Sequence, residues 1–145
     1  MTDFACQEND RRLGNIAQIG VVEEVDYTSL PRARVRIGEL LTGWVRMGAT
    51  RAGGDRDWCV YEAGEEVLVV STSGDLRNGV IVCALNNGLN PGNSASADIR
   101  RTDYGNGSFV EHNRATGSMS ISATGDIELT AGGNIIIRGA RIDLN

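Results

Sequence analysis

The sequence contains no lysine: its 14 basic residues are all arginine, set against 19 Asp and Glu for a formal net charge of −5. Arginine makes rigid bidentate contacts that lysine does not, but so complete an exclusion reads as a compositional bias. The acidic balance makes the chain a poor general nucleic-acid binder, since phosphate affinity rests on a net positive face. Histidine is nearly absent too, with His112 alone. The three cysteines, Cys6, Cys59 and Cys83, have no CxxC spacing and cannot all pair within one chain. Metal-site grammar is therefore missing, and the cysteines lack any base nearer than the distant His112 for nucleophilic catalysis. They read as reduced, partly buried thiols of a protein made in a cytoplasm, with a bridge between chains through Cys6 as the minor alternative. No run of 18 apolar residues exists, so a membrane-spanning helix is excluded. The start, Met1-Thr2-Asp3-Phe4, lacks the basic-then-apolar pattern of a secretory signal. Two prolines and 5% aromatics complete the short supply, and collagen, coiled-coil and wholly disordered classes fail on composition. No Gly-rich phosphate loop is present. Neither an enzyme nor a cofactor is expected.

What remains is 145 residues, 41% hydrophobic with 19 glycines, enough for one compact domain or two small ones. Residues 1–15 form an N-terminal segment with Phe4, Ala5 and Leu13 as apolar points. A cap at Thr2 or Asp3 and a stop at Gly14 predict one short helix there. From Ile16 the pattern becomes β. Residues 16–25 are rich in Ile and Val, and 32–37 alternate strictly, with Arg32, Arg34 and Arg36 on one face and Ala33, Val35 and Ile37 on the other. Further strands are expected over 41–47, carrying Trp44, over 66–71 and over 79–85. A long polar loop spans 48–64, and Ser73-Gly74-Asp75-Leu76 makes a tight turn. Five short strands with one long middle loop fit a small closed barrel, and an OB-type barrel over 16–88 is the commonest such solution. Residues 89–103, small and polar at their start, read as a linker.

The segment 104–145 carries a repeat. Gly117, Gly125 and Gly133 fall eight residues apart, and each opens a block whose third, fifth and seventh positions point one way. Those positions hold Met119, Ile121 and Ala123, then Ile127, Leu129 and Ala131, then Ile135, Ile137 and Gly139. A fourth, partial block, Arg141-Ile142-Asp143-Leu144-Asn145, keeps the alternation but slips by one residue. This is a β repeat with one apolar face and glycine-marked corners. Some 40 residues with a narrow apolar stripe cannot cover that stripe or pair their own edges. A one-chain solenoid needs coils of roughly 18 or more residues, given the strand rise. Three chains, each supplying one wall of a triangular prism, close the structure most simply. Met119, Ile121, Ile127, Leu129, Ile135 and Ile137 then line the axis of a homotrimer.

Other residues admit sharper and blander readings. His112 on a threefold axis could ligate a metal, but with Val110 as its apolar neighbour in register it reads as part of a solvated strand face. Trp44 and Trp58 could stack bases as in single-strand-binding OB folds, yet packing or a protein contact fits an acidic chain better. The Arg32, Arg34, Arg36 face is the best argument for nucleic acid. Its plain alternative is a solvated or subunit-facing strand whose cross-strand partners are Glu23 and Glu24. Asp55 and Asp57 in their Arg-rich loop read as solvated. Asn106-Gly107-Ser108 matches a glycosylation sequon but is first of all a turn.

In order and spacing, these pieces resemble the baseplate assembly protein V family, the central spike of contractile phage tails and related particles. The residues that carry the resemblance are Gly20-Val21-Val22-Glu23-Glu24-Val25-Asp26, Arg34-Val35-Arg36, Thr42-Gly43-Trp44 and Arg51-Ala52-Gly53. After them come Asp57-Trp58, Gly64-Glu65-Glu66-Val67-Leu68, Gly74-Asp75-Leu76, Gly79-Val80 and Asp103-Tyr104-Gly105-Asn106-Gly107-Ser108. The resemblance spans nearly the whole chain and implies an all-β molecule, an N-terminal OB-type barrel followed by a C-terminal intertwined trimeric β-helix, the needle. It further implies a spike that caps the tail tube and pierces a bacterial outer membrane on contraction. Such a spike docks on tail hub proteins at its barrel end and is assembled in the host cytoplasm into the virion baseplate. Longer members end in a His-x-His motif that binds iron at the tip; this sequence has no such motif, so no tip metal is carried over. Ile142 and Leu144 near the last residue lead to the expectation of a separate small tip protein as cap. The alternative function is an OB-fold module for single-stranded nucleic acid with an oligomerising β tail; a host-surface-binding fibre would want more aromatic or charged side chains outside the tail.

Overall fold

The computed structural model describes residues 3–144, in two units, 3–92 and 93–144. Thr2, one of the two candidate caps, and Asn145, the last residue of the partial block, lie outside the described residues.

The first unit begins with helix α1, Asp3–Gly14, which buries none of its residues. Asp3 sits in its first turn and Arg11 and Arg12 in its last, charges that favour the two ends of a helix dipole. Six strands follow: β1, Ala17–Asp26; β2, Arg32–Ile37; β3, Leu40–Leu41; β4, Val45–Met47; β5, Glu66–Ser71; and β6, Gly79–Ala84. They run in the order β1-β5-β6-β4-β2-β3, and β1 also pairs with β2. The sheet thus closes into a five-stranded barrel, with β3 appended to β2. All pairings are antiparallel except β4 with β6. This is the OB-type solution for the first unit.

The core is small and almost wholly β-branched: Val22, Val35, Val45, Val67, Val69 and Ile81 with Ala33. Strict alternation in β2 and β5 sends these side chains inward and leaves the intervening ones outside. Strand β1 must break that alternation, because Glu23 and Glu24 are consecutive and neither can be buried. The register between β1 and β2 shifts between Val22 and Glu24. That bulge puts both carboxylates outside while Val22 stays in the core.

Two expectations for this unit need correction. The strand expected over 41–47 is split into β3 and β4. The buried Thr42 hydroxyl accepts from the Val35 amide at 2.9 Å and donates to the Gly43 carbonyl at 2.8 Å, so a side chain takes a place in the ladder at the break. The turn at 73–76 is two short 3-10 turns, Thr72–Gly74 and Leu76–Asn78, joined at Asp75, whose carboxylate accepts from the Arg77 amide.

The second unit holds β7, Ile99–Asp103, β8, Phe109–Asn113, and β9, Ser118–Ser122, in one antiparallel sheet. Strand β7 therefore lies inside the 89–103 segment read as linker. Only Ile99 in it is aliphatic, so hydrophobic alternation gave no signal. Arg101 ties the strand instead, reaching Asp103 and Glu111 at 2.8 Å each and stacking 4.0 Å from the Phe109 ring centroid. Beyond β9, residues 123–144 join no sheet within this chain.

Candidate assembly surface

The register of the second unit sorts its side chains onto two faces. Arg100 lies opposite His112, and His112 opposite Met119; Thr102 lies opposite Val110, and Val110 opposite Ile121. These six residues share one face. The other carries Ile99, Arg101 and Asp103 with Phe109, Glu111, Asn113 and the serines of β9. On that face the Arg101 guanidinium holds the Asp103 carboxyl below its ordinary range, helped by a hydrogen bond from the Asn93 amide.

Two turns set the faces. Asn106 Oδ1 accepts from the Ser108 amide at 3.0 Å, and the Tyr104 amide donates to the Ser108 carbonyl at 2.9 Å, so the Asn-Gly sequence is a turn in the structure. The second turn is closed by Asn113 Oδ1, which accepts from the Ala115 and Thr116 amides, and by Gly117 at φ +71°. A left-handed residue at that corner requires glycine. Gly125 and Gly133 do not occupy the left-handed region in the isolated chain, and a methyl group on either would meet nothing.

The face with Met119 and Ile121 is open. Met119 is 69% exposed and Ile121 64%. The same holds further along the repeat, where Ile127, Leu129, Ile135 and Ile137 are 53–71% exposed. Ile136, outside the expected stripe, is as exposed as Met119, and Ile142 and Leu144 are open as well. The structure thus presents all six expected axis residues to solvent and brings none of them into a core of its own chain. Sequence reasoning missed that His112 and Arg100 share the face of Met119 and Ile121. That juxtaposition depends on strand pairing, which alternation within one strand does not reveal.

The remaining candidates sit in the first unit. Arg32 pairs with Asp26 at 2.7 Å and Arg34 with Glu24 at 3.1 Å, while Arg36 pairs with Glu23. The Arg36 guanidinium pulls the Glu23 carboxyl below its ordinary range. The Arg stripe is therefore neutralised on its own barrel wall. Trp44 lies beneath the Arg32 guanidinium, 5.8 Å from ring centroid to carbon, while Trp58 is exposed in the long loop. Arg51 and Asp55 pair within that loop. Cys6 and Cys59 are exposed thiols and Cys83 a half-buried one. Among the described residues, no three His, Cys, Asp or Glu side chains converge as metal ligands.

The described residues thus combine a closed five-stranded OB-type barrel with a three-stranded sheet and a tail whose apolar stripe is exposed. Residues 18–85 match the family described as the type VI secretion system/phage-baseplate injector OB domain. Over 129 residues, 89% of this chain, the sequence is 30% identical to the spike protein of Escherichia phage P2. The match spans 61% of that relative's length. The barrel is thus similar to that injector OB domain, and most of the chain is similar to a phage spike protein.

Proposed function

We propose that three copies of this chain form the central spike of a contractile tail baseplate, a component of the virion tail. The observation that carries this reading is the apolar stripe at Met119, Ile121, Ile127, Leu129, Ile135 and Ile137, laid out on an eight-residue period and left open by its own chain. Full burial of such side chains is worth about 1.5–3 kcal/mol each, so closing the open half or more of six contributes on the order of 5–10 kcal/mol per chain before ordering costs. A prism of three interleaved chains also pairs the backbone of 123–144. With strands about 4.8 Å apart, each octad of three chains advances roughly 14 Å and the tail reaches about 50 Å.

In this reading the function is mechanical. A rigid needle closes the tail tube and transmits the force of contraction to the bacterial outer membrane, while the barrel end docks on tail hub proteins. Assembly takes place in the host cytoplasm, and the open side chains of Ile142 and Leu144 form the contact for a small separate protein. No step calls for catalysis or a cofactor. The single-stranded nucleic-acid alternative loses its main support, because each arginine of the stripe already has a carboxylate partner.

Light scattering tests the proposal, first in buffer and then after incubation in mild detergent. A detergent-resistant species at three times 15.5 kDa is expected. A monomer would refute the needle.

A further inference from the structure

One face of the second unit carries positive charge with no free carboxylate to meet it. Arg100 on β7, His112 on β8 and Met119 on β9 lie opposite one another in a single row of the sheet, and Thr102, Val110 and Ile121 form the next row. Arg100 and His112 line one open groove with Thr102, Val110 and Met119. Arg101, Arg114 and Arg141 of the same unit are all ion-paired, but Arg100 has no ion pair among the described residues. The carboxylates nearby are taken. Asp103 and Glu111 lie on the other face, bound to Arg101, and Asp98, just before β7, is held by Arg114 at 2.5 Å.

Met119 and Ile121 begin the stripe assigned above to the trimer axis, so closing that stripe draws Arg100 and His112 inward with them. Side chains directly opposite across a sheet have Cβ atoms about 4.5–5.5 Å apart, close enough for the guanidinium and the imidazole to act on one ligand. Three chains bring three such pairs round one axis. A guanidinium removed from water without a partner costs several kcal/mol, and three facing one another add mutual repulsion. No side chain of this face supplies the counter-charge, and a metal cation would be repelled. An anion from solution answers both costs. We infer that the row of Arg100 and His112 binds a doubly charged tetrahedral oxyanion, of the sulfate or phosphate class, on the trimer axis, one per three chains. The guanidinium fork matches oxyanion geometry, and a tetrahedral ion has threefold axes of its own. This inference rests on the trimer proposed above.

Equilibrium dialysis of the full chain against radiolabelled sulfate at fixed ionic strength, with light scattering on the same samples, tests the site. A trimer should retain one sulfate, and more tightly at about pH 5.5 than at about pH 8, since imidazole takes up its proton in this range while sulfate keeps its charge. Arg100→Gln should keep the trimer mass and weaken retention at least tenfold. His112→Gln should still bind at the higher pH and lose the gain on acidification. Arg46→Gln, a change on β4 of the barrel, should bind as the native chain does. A trimer that retains no sulfate, or retains it equally well in Arg100→Gln, would overturn the site and leave the trimer standing. So would a His112→Gln trimer whose retention still rises on acidification. A native chain at monomer mass would overturn both.

Discussion

A methyl group placed on Gly20 would meet the Arg36 carbonyl oxygen at 2.5 Å, Val35 Cγ1 at 2.6 Å and Ile37 Cγ1 at 2.8 Å. Two of these neighbours could rotate, but the carbonyl belongs to the backbone of β2 and cannot yield without opening the barrel seam. Gly20→Ala should therefore behave as overpacking and cost about 2–3 kcal/mol. For a unit of this size each kcal/mol lowers the melting temperature by roughly 4–8 °C, so differential scanning calorimetry would read the effect directly. A melting temperature within a few degrees of the native chain would show that the seam is slack. The sequence displays Gly20 as the first residue of a recognisable run, but the reason for glycine there is visible only once β2 is laid alongside. Ser71 is a similar case: its hydroxyl is buried with no hydrogen-bond partner among the described residues, and its alternation in β5 marks it only as inward.

Helix α1 buries none of its residues: its last turn lies against Gly74, where a methyl group would meet the Arg12 backbone, and local charge ties its open side. Glu8 accepts hydrogen bonds from Arg11 at 2.9 and 2.8 Å and from Arg12 at 2.7 Å. The Arg11 hydrogen bond, followed by that from Arg12, lowers the Glu8 carboxyl from its ordinary 4.5 to about 2. A carboxylate depressed by folding stabilises the helix above its unfolded pKa, and that contribution is lost as pH falls through the folded value. The expected outcome is steady amide protection in α1 from neutral pH to about 4.5, declining toward pH 2. Carboxyl NMR should show Glu8 titrating near 2, and a value near 4.5 would remove the argument. The elements themselves were unequally legible. The barrel strands announced themselves because Val, Ile and Ala alternate with polar residues in β2 and form apolar runs in β5 and β6. Strand β7 did not, since Ile99-Arg100-Arg101-Thr102-Asp103 is held by ion pairs and a cation–aromatic contact that require β8 to be in place. The break between β3 and β4 was hidden for a related reason, as a threonine hydroxyl there stands in for a backbone partner.

At the scale of the whole molecule, the repeat is where the sequence says more than a single chain can express. The eight-residue period is plain in the residues, but within this chain 123–144 join no sheet and the stripe stays exposed; in the proposed trimer the partner strands lie on other copies. The side of the strand that faces the axis is the part open to a sharp test, because Ile135 and Ile136 are adjacent and both exposed, at 53% and 69%. Ile135→Asp and Ile127→Asp each place three carboxylates together at the proposed axis, whereas Ile136→Asp places them on the outside. Burying unpaired charge costs several kcal/mol per group, so the two axial variants should run as monomers at pH 7 in light scattering and the outer variant as a trimer. Desolvation and mutual repulsion also raise the pKa of crowded carboxylates, so acidification toward pH 4 should neutralise them and restore the axial variants to trimers. The outer variant should not respond. Trimers from Ile127→Asp at pH 7, or monomers from Ile136→Asp, would place the axis on the other face of the strand and exchange the roles assigned to the two sets of side chains.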